Sequence, residues 1–411
     1  MKKIISVFAT CLMALVSLEA CNRQQPESPD GPEEDKPFEP ITLTKAEQSI
    51  NKASNQFGIN VYHKLYSGND ILISPLSLSL ALSMTTNGAA GTTAEGMLST
   101  LGFGGQSIDD MNGYYQKMVK ALLEADPKTT FEVANSIWAD ERIGVKKSFT
   151  DATEKYYSSE VFPADFSTQA TVNKVNSWVS EKTHGKIRSI MDAPNKDLVM
   201  ALINALYFNG KWAFEFDGKI KKEDFTTLKG SKSKVDMMTA KVKSYSEYDG
   251  FSMVRLPYGN GAFNLDVILP PKGEDFGEAV ARFNAETLDH LSYLYPAEVN
   301  LKLPKFTFEY ETELNDVLKS LGMEQAFSNM ADFSSMAEKA VKISMVKQKT
   351  FIDVNEKGTE AAAVTIVAVE LTSAMPSPTL KKVDFFADRP FLFLIREQST
   401  GAILFMGQKV E

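Results

Sequence analysis

Side chains able to do covalent or acid–base work are scarce in this sequence. Its two cysteines, Cys11 and Cys21, lie at the extreme N-terminus, and its three histidines, His63, His184 and His290, are far apart. The body of the chain therefore offers no thiol nucleophile, disulfide or thiolate metal site, and no histidine pair at ligand spacing. No serine has a plausible histidine partner for nucleophilic catalysis, which weighs against a hydrolase. Gly102-Phe103-Gly104-Gly105 lacks the final glycine spacing of a dinucleotide loop and reads as a surface turn. Gly185-Lys186 has no upstream glycine at phosphate-loop spacing and no Ser or Thr after it, and His184 beside it reads as a solvated side chain. Lys219, Lys221, Lys222, Lys229, Lys232 and Lys234 form a basic run around Gly230, read as a solvated hairpin rather than a polyanion site. Aspartates and glutamates are plentiful, yet their spacing singles out no acid–base pair. A formal net charge of −9 argues against broad contact with nucleic-acid phosphates. No enzyme site and no cofactor or metal site follows from these residues.

A segment near the C-terminus has chemistry of another kind. Residues 356–369 read Glu-Lys-Gly-Thr-Glu-Ala-Ala-Ala-Val-Thr-Ile-Val-Ala-Val. A surface loop this close to Ser373, Pro376, Ser377 and Pro378 is ordinarily polar, but this stretch is built like a strand. Thr359, Ala361, Ala363, Thr365 and Val367 fall on one face, all small or medium in size, and Glu360 points the other way. No proline occurs from Glu356 to Met375, so every amide can join a ladder, and Gly358 gives a flexible start. The segment is either a fixed strand or a loop that can become one.

Ordinary strands and helices must carry that segment. Thr44 and Glu47 make a capping-box pair, after which Ile50, Ala53, Phe57, Val61 and Leu65 recur at helical spacing. Val172, Val175, Trp178 and Val179 mark a second helix, and Leu314, Val317, Leu318 and Leu321 a third, stopped by Gly322. Phe263, Leu265, Val267 and Leu269 alternate after the turn Gly259-Asn260-Gly261. Val299, Leu301 and Leu303 alternate up to Pro304, and Phe306, Phe308 and Tyr310 resume the alternation one position out of step. Phe391 to Ile395 and Ile403 to Met406 are the last strands, joined through Ser399-Thr400-Gly401. With no repeat and no second linker, residues 44–411 read as one large α+β domain.

The N-terminus is organised differently. Lys2 and Lys3 precede an apolar stretch from Ile4 to about Leu18, shorter than a spanning helix needs. Leu18-Glu19-Ala20-Cys21 resembles the lipobox of bacterial lipoproteins, with Glu19 an unusual occupant. That resemblance implies removal of residues 1–20 as a signal peptide and lipidation of the Cys21 thiol. The product would be exported and anchored to a bacterial membrane by lipid alone, at the outer membrane or cell surface. Residues 21–43, with five prolines and Glu27, Asp30, Glu33, Glu34 and Asp35, read as an extended, solvated acidic tether.

The hinge-like run Glu356-Lys357-Gly358-Thr359-Glu360-Ala361-Ala362-Ala363 resembles that of an inhibitory serpin, and the resemblance covers residues 45–411. Ile73-Ser74-Pro75-Leu76-Ser77, Asn87-Gly88-Ala89, Ala134-Asn135-Ser136-Ile137-Trp138 and Asn176-Ser177-Trp178-Val179 occur in family order. So do Asn204 to Trp212, Leu256-Pro257-Tyr258, Leu303-Pro304-Lys305-Phe306, Ala331-Asp332-Phe333-Ser334, Asp388-Arg389-Pro390-Phe391 and Leu404-Phe405-Met406-Gly407. Similarity to that family implies three β-sheets, about eight or nine helices and an exposed reactive-centre loop. It also implies a monomeric suicide substrate, whose partner is a serine protease or, as a further possibility, a cysteine protease. The partner cleaves the loop and is trapped as an acyl-enzyme when the loop inserts into the central sheet.

Counting from the hinge by family spacing puts the scissile bond between Thr372 and Ser373, with Leu371 and Met375 as rival positions. No Lys or Arg lies between Gly358 and Leu380, so elastase-like or other non-trypsin-like targets are expected. A family shutter beneath the sheet maps to Ser74, Ser77 and Asn204. There Gln348 stands where many serpins carry histidine, keeping hydrogen-bonding capacity without a titrating group. A non-inhibitory serpin, acting as a binding or folding-assistance protein, is the alternative.

Overall fold

The computed structural model describes residues 36–218, 220–359 and 380–411, and the structural statements below concern those residues. Cys21, the loop residues Glu360, Ala361, Ala362 and Ala363, and the candidate bonds at Leu371, Thr372, Ser373 and Met375 lie outside them, as does Lys219.

The described chain opens with α1 (Lys45–Leu65), β1 (Ile71–Ile73), α2 (Pro75–Thr86), α3 (Gly91–Thr100) and α4 (Ile108–Leu123). It continues through β2 (Thr129–Asp140), α5 (Lys147–Tyr157), β3 (Glu160–Ala164), α6 (Gln169–Lys182) and β4 (Met200–Lys211). Strands β5 (Lys221–Thr226), β6 (Lys232–Tyr248), β7 (Phe251–Pro257) and β8 (Phe263–Leu269) follow. Short helices α7 (Phe276–Arg282) and α8 (Ala285–Leu291) lead to β9 (Tyr295–Pro304), β10 (Phe306–Glu313) and α9 (Asn315–Leu318). The chain closes with β11 (Met345–Asn355), β12 (Gly358–Thr359), β13 (Lys381–Phe386), β14 (Phe391–Glu397) and β15 (Ile403–Lys409).

Local chemistry accounts for the element ends. At α1 the Thr44 amide donates to Glu47 Oε2 at 2.7 Å and the Glu47 amide to Thr44 Oγ1 at 3.3 Å, which is the expected capping box. Ser74 caps α2, with Pro75 at its first turn where a missing N–H costs nothing. The helix expected around Leu314 to Leu321 is regular only over α9, and Gly322, at φ 119°, breaks the helical path.

The strands form two hydrogen-bonded networks. Six run in the order β10-β11-β12-β4-β2-β3, and nine in the order β1-β15-β14-β8-β7-β6-β9-β13 with β5 attached to β6. The long β6 divides the larger network: its earlier part pairs with β5 and β9, and its end with β7, with a register shift between Val242 and Ser244. The larger network thus supplies two of the three expected sheets.

Alternation along β4 places the six-stranded sheet between two cores. Leu202, Leu206 and Phe208 join the main core, while Ala201, Ile203 and Ala205 join a second cluster with Val175, Trp178 and Val179 of α6. Along β11, Val346, Ile352 and Val354 face the main core. Residues 204 and 348 share that parity, so both point toward the start of α2.

Residues 36–43, read from the sequence as the end of the tether, lie against the body. Phe38, Ile41 and Leu43 pack on the main core, the Ile41 amide donates to Ser399 Oγ at 2.8 Å, and Lys36 Nζ donates to the Glu124 carbonyl at 2.7 Å.

Candidate functional site

The site is a seam between β4 and β11. The two strands pair in parallel from Met345↔Ala201 to Thr350↔Leu206 and no further. Above that point the chain turns back through Glu356 and Lys357 and enters the seam as β12. Thr359 pairs with Val354 on one side and Gly210 on the other; Gly358 pairs with Asn355 and Lys211. Of the hinge residues expected at Glu356, Gly358 and Thr359, the last two therefore form the short strand β12, and Glu356 lies in the turn before it.

Several groups hold it there. Gly358 has φ 137°, and a Cβ would lie 2.2 Å from the Gly210 carbonyl oxygen, so only glycine fits. The Asn355 side chain accepts from the Lys357 amide at 2.9 Å, shaping the turn, and its carbonyl accepts from Trp212 Nε1 at 2.8 Å. Glu356 pairs with Lys305 at 2.6 Å, which holds its carboxyl below the ordinary value of 4.5. Thr359 is buried, 1% exposed, and its hydroxyl shares a 2.9 Å hydrogen bond with the Tyr258 hydroxyl. The Tyr258 ring stacks on Trp212 at 4.4 Å, and burial pushes its phenol well above the ordinary tyrosine value. Tyr258 belongs to a motif quoted from the sequence, but its bond to the hinge depends on long-range register that one-dimensional spacing does not carry.

Lower in the seam, the residues expected as a shutter come together. The Ser74 amide donates to Gln348 Oε1 at 2.9 Å, and Gln348 Nε2 donates to the Ser74 carbonyl at 3.1 Å and to Asn204 Oδ1 at 2.6 Å. Asn204 Nδ2 donates in turn to Ser77 Oγ and Asn135 Oδ1. Glutamine thus closes the network with its amide alone, and Gln348 and Asn204 are the side chains that tie β11 to β4. On the opposite face Lys349 Nζ donates to the Ser189 carbonyl at 3.0 Å, fastening the segment after α6 to β11. Lys349 also pairs with Glu309 and Glu311 at 2.9 and 3.0 Å; burial opposes its charge, but the two carboxylates win and raise its value.

Two sequence readings look different in three dimensions. His184 is not merely solvated: its Nε2 lies 3.1 Å from Glu132 Oε1, beside the Tyr207 ring. The basic run is a hairpin whose lysines are largely matched, with Lys222 on Asp236 and both Lys232 and Lys234 on Asp224. Among the described residues no group of three His, Cys, Asp or Glu side chains could hold a metal ion, and no helix is long and apolar enough to cross a membrane.

The family model for serpins, described as serine protease inhibitors, matches residues 52–411. Serpin-Z2A of Triticum aestivum is 37% identical over 366 residues, spanning 84% of this chain and 90% of its own length. Iripin-8 of Ixodes ricinus is 32% identical over 397 residues, spanning 90% and 97%. The crystal structure of the thermophilic serpin tengpin in the native state superposes with a TM-score of 0.80 at 32% identity, covering 92% of this chain and 97% of that one. On the family model over residues 52–411, the identities to these relatives and the shared fold, this chain belongs to the serpin family of serine protease inhibitors.

Proposed function

We propose that this protein inhibits elastase-like or other non-trypsin-like proteases as a suicide substrate. The protease cleaves the loop between Thr359 and Leu380, forms an acyl-enzyme, and is carried along as the loop becomes a new strand between β4 and β11. One observation carries this reading: β12 already pairs with both of those strands.

Continuing that register would give residues 360–368 a neighbour on each side. Ala361 would fall between Phe208 and Ile352, Ala363 between Leu206 and Thr350, and Thr365 between Asn204 and Gln348. The side of Thr359 that faces the core is continued by Ala361, Ala363, Thr365 and Val367, which enter without overpacking. Thr365 would then replace the Gln348–Asn204 bond with its own hydroxyl. Insertion replaces the six parallel β4–β11 pairs with ladder bonds on both sides of the new strand; a net gain of about a dozen at roughly 0.5–1.5 kcal/mol each makes it favourable. The uncut form is accordingly held by a kinetic barrier.

The reactive bond in this proposal is Thr372–Ser373, with Leu371 and Met375 as the rival positions. Export and anchoring through lipid on Cys21 complete it, and Cys21→Ser should release the protein from membranes. The test is incubation with an elastase-like serine protease followed by a denaturing gel. A covalent complex of summed mass supports the proposal; a cut loop with free, active protease favours a non-inhibitory serpin. Thr359→Arg should convert inhibitor to substrate, because a buried guanidinium opposes the strand.

A further inference from the structure

The Tyr258 hydroxyl sits at a fully buried ring, and its hydrogen bond among the described residues is to Thr359 Oγ1 at 2.9 Å. The Thr359 hydroxyl is equally enclosed. If the hinge left the seam, both hydroxyls would lose their bond, and Tyr258 would keep a polar group in an apolar pocket with Trp212 and Phe208. If the hinge goes further in, the bond is kept. The pair therefore acts against exit and not against insertion.

The turn that carries Tyr258 is itself fixed. The Tyr258 amide donates to the Phe263 carbonyl at 2.9 Å, and the Gly259 amide to the Lys211 carbonyl at 2.8 Å, next to the residues that flank Gly358. A Cβ on Gly259 would stand 1.8 Å from Asp126 Oδ2, so the turn is wedged against Asp126. The phenol thus projects from a rigid platform onto Thr359.

We propose that Tyr258 is a positioning residue that pins the hinge in its two-residue start, so that insertion extends an existing strand. The proposal rests on the insertion reading above. Strand growth from a formed pair avoids the entropic cost of nucleation, which is the slow part of adding a strand. In a suicide inhibitor this speed matters, because the acyl-enzyme either hydrolyses or is trapped.

Tyr258→Phe deletes the hydroxyl and leaves the ring on Trp212. In the protein alone, amide hydrogen exchange at Thr359 should rise about two- to tenfold, the range expected for one buried hydrogen bond. Exchange in β8, and in β4 before Gly210, should stay unchanged. Against an elastase-like protease, moles of inhibitor consumed per trapped enzyme should rise while the association rate constant stays the same. Thr359→Val should behave alike, Thr359→Ser should retain wild-type behaviour, and the Tyr258→Phe/Thr359→Val pair should be no worse than either single variant. Unchanged exchange at Thr359 in both single variants, or equal acceleration throughout β4 and β8, overturns the pin. If the wild type traps no protease but exchange at Thr359 responds as stated, the inhibitory reading fails and the pin stands.

Discussion

At the residue scale, Gln348 sets what the seam can sense. Gln348 joins Ser74 and Asn204 with an amide that does not titrate, so the tie between β4 and β11 is indifferent to mild acid. Acid sensitivity is expected elsewhere, at His63 on α1. Burial lowers His63 below its ordinary value of 6.5, although the carbonyls of Phe283 and Val280 act the other way. A histidine with a depressed folded value takes its proton more readily when unfolded, so its penalty is absent above pH 6.5 and grows as pH falls below it. Urea midpoints should therefore drop between pH 7.5 and 5.5 in the wild type and drop less in His63→Gln. Equal drops in both would place the sensitivity elsewhere.

At the element scale, much was legible in the sequence and some could not be. The capping box at Thr44, the α6 apolar stripe and the strands ending at Pro304 are short-range patterns, and they appear where their spacing puts them. The strand start at Gly358 and Thr359 was legible because a proline-free, small-residue stretch beside a glycine has strand chemistry. The Tyr258–Thr359 bond and the His184–Glu132 pair were not, since each joins elements far apart in sequence. Nor was the docking of residues 36–43, whose prolines and charges read as tether. Asn260 holds that segment: its Nδ2 donates to the Lys36 carbonyl at 3.2 Å and the Ala125 carbonyl at 2.9 Å. Asn260→Ala should accelerate hydrogen exchange across residues 38–43 and lower stability by about 1 kcal/mol in urea titration. An unchanged exchange pattern would mean the packing of Phe38, Ile41 and Leu43 suffices.

At the scale of the whole molecule, the sheet holds an unfinished strand. β4 and β11 pair over their lower half, and Gly358 and Thr359 occupy the top; in the proposed insertion Ala361, Ala363, Thr365 and Val367 would continue the side of Thr359. The scarcity of cysteine and histidine fits a protein whose target would perform the bond cleavage. The most direct measurement compares thermal unfolding of the intact protein with that of protein cut once between residues 360 and 379. If the freed loop enters the seam, about a dozen ladder bonds should raise the melting temperature by roughly 10–25 °C. A cut protein that melts at the temperature of the intact one, or below it, would contradict loop insertion.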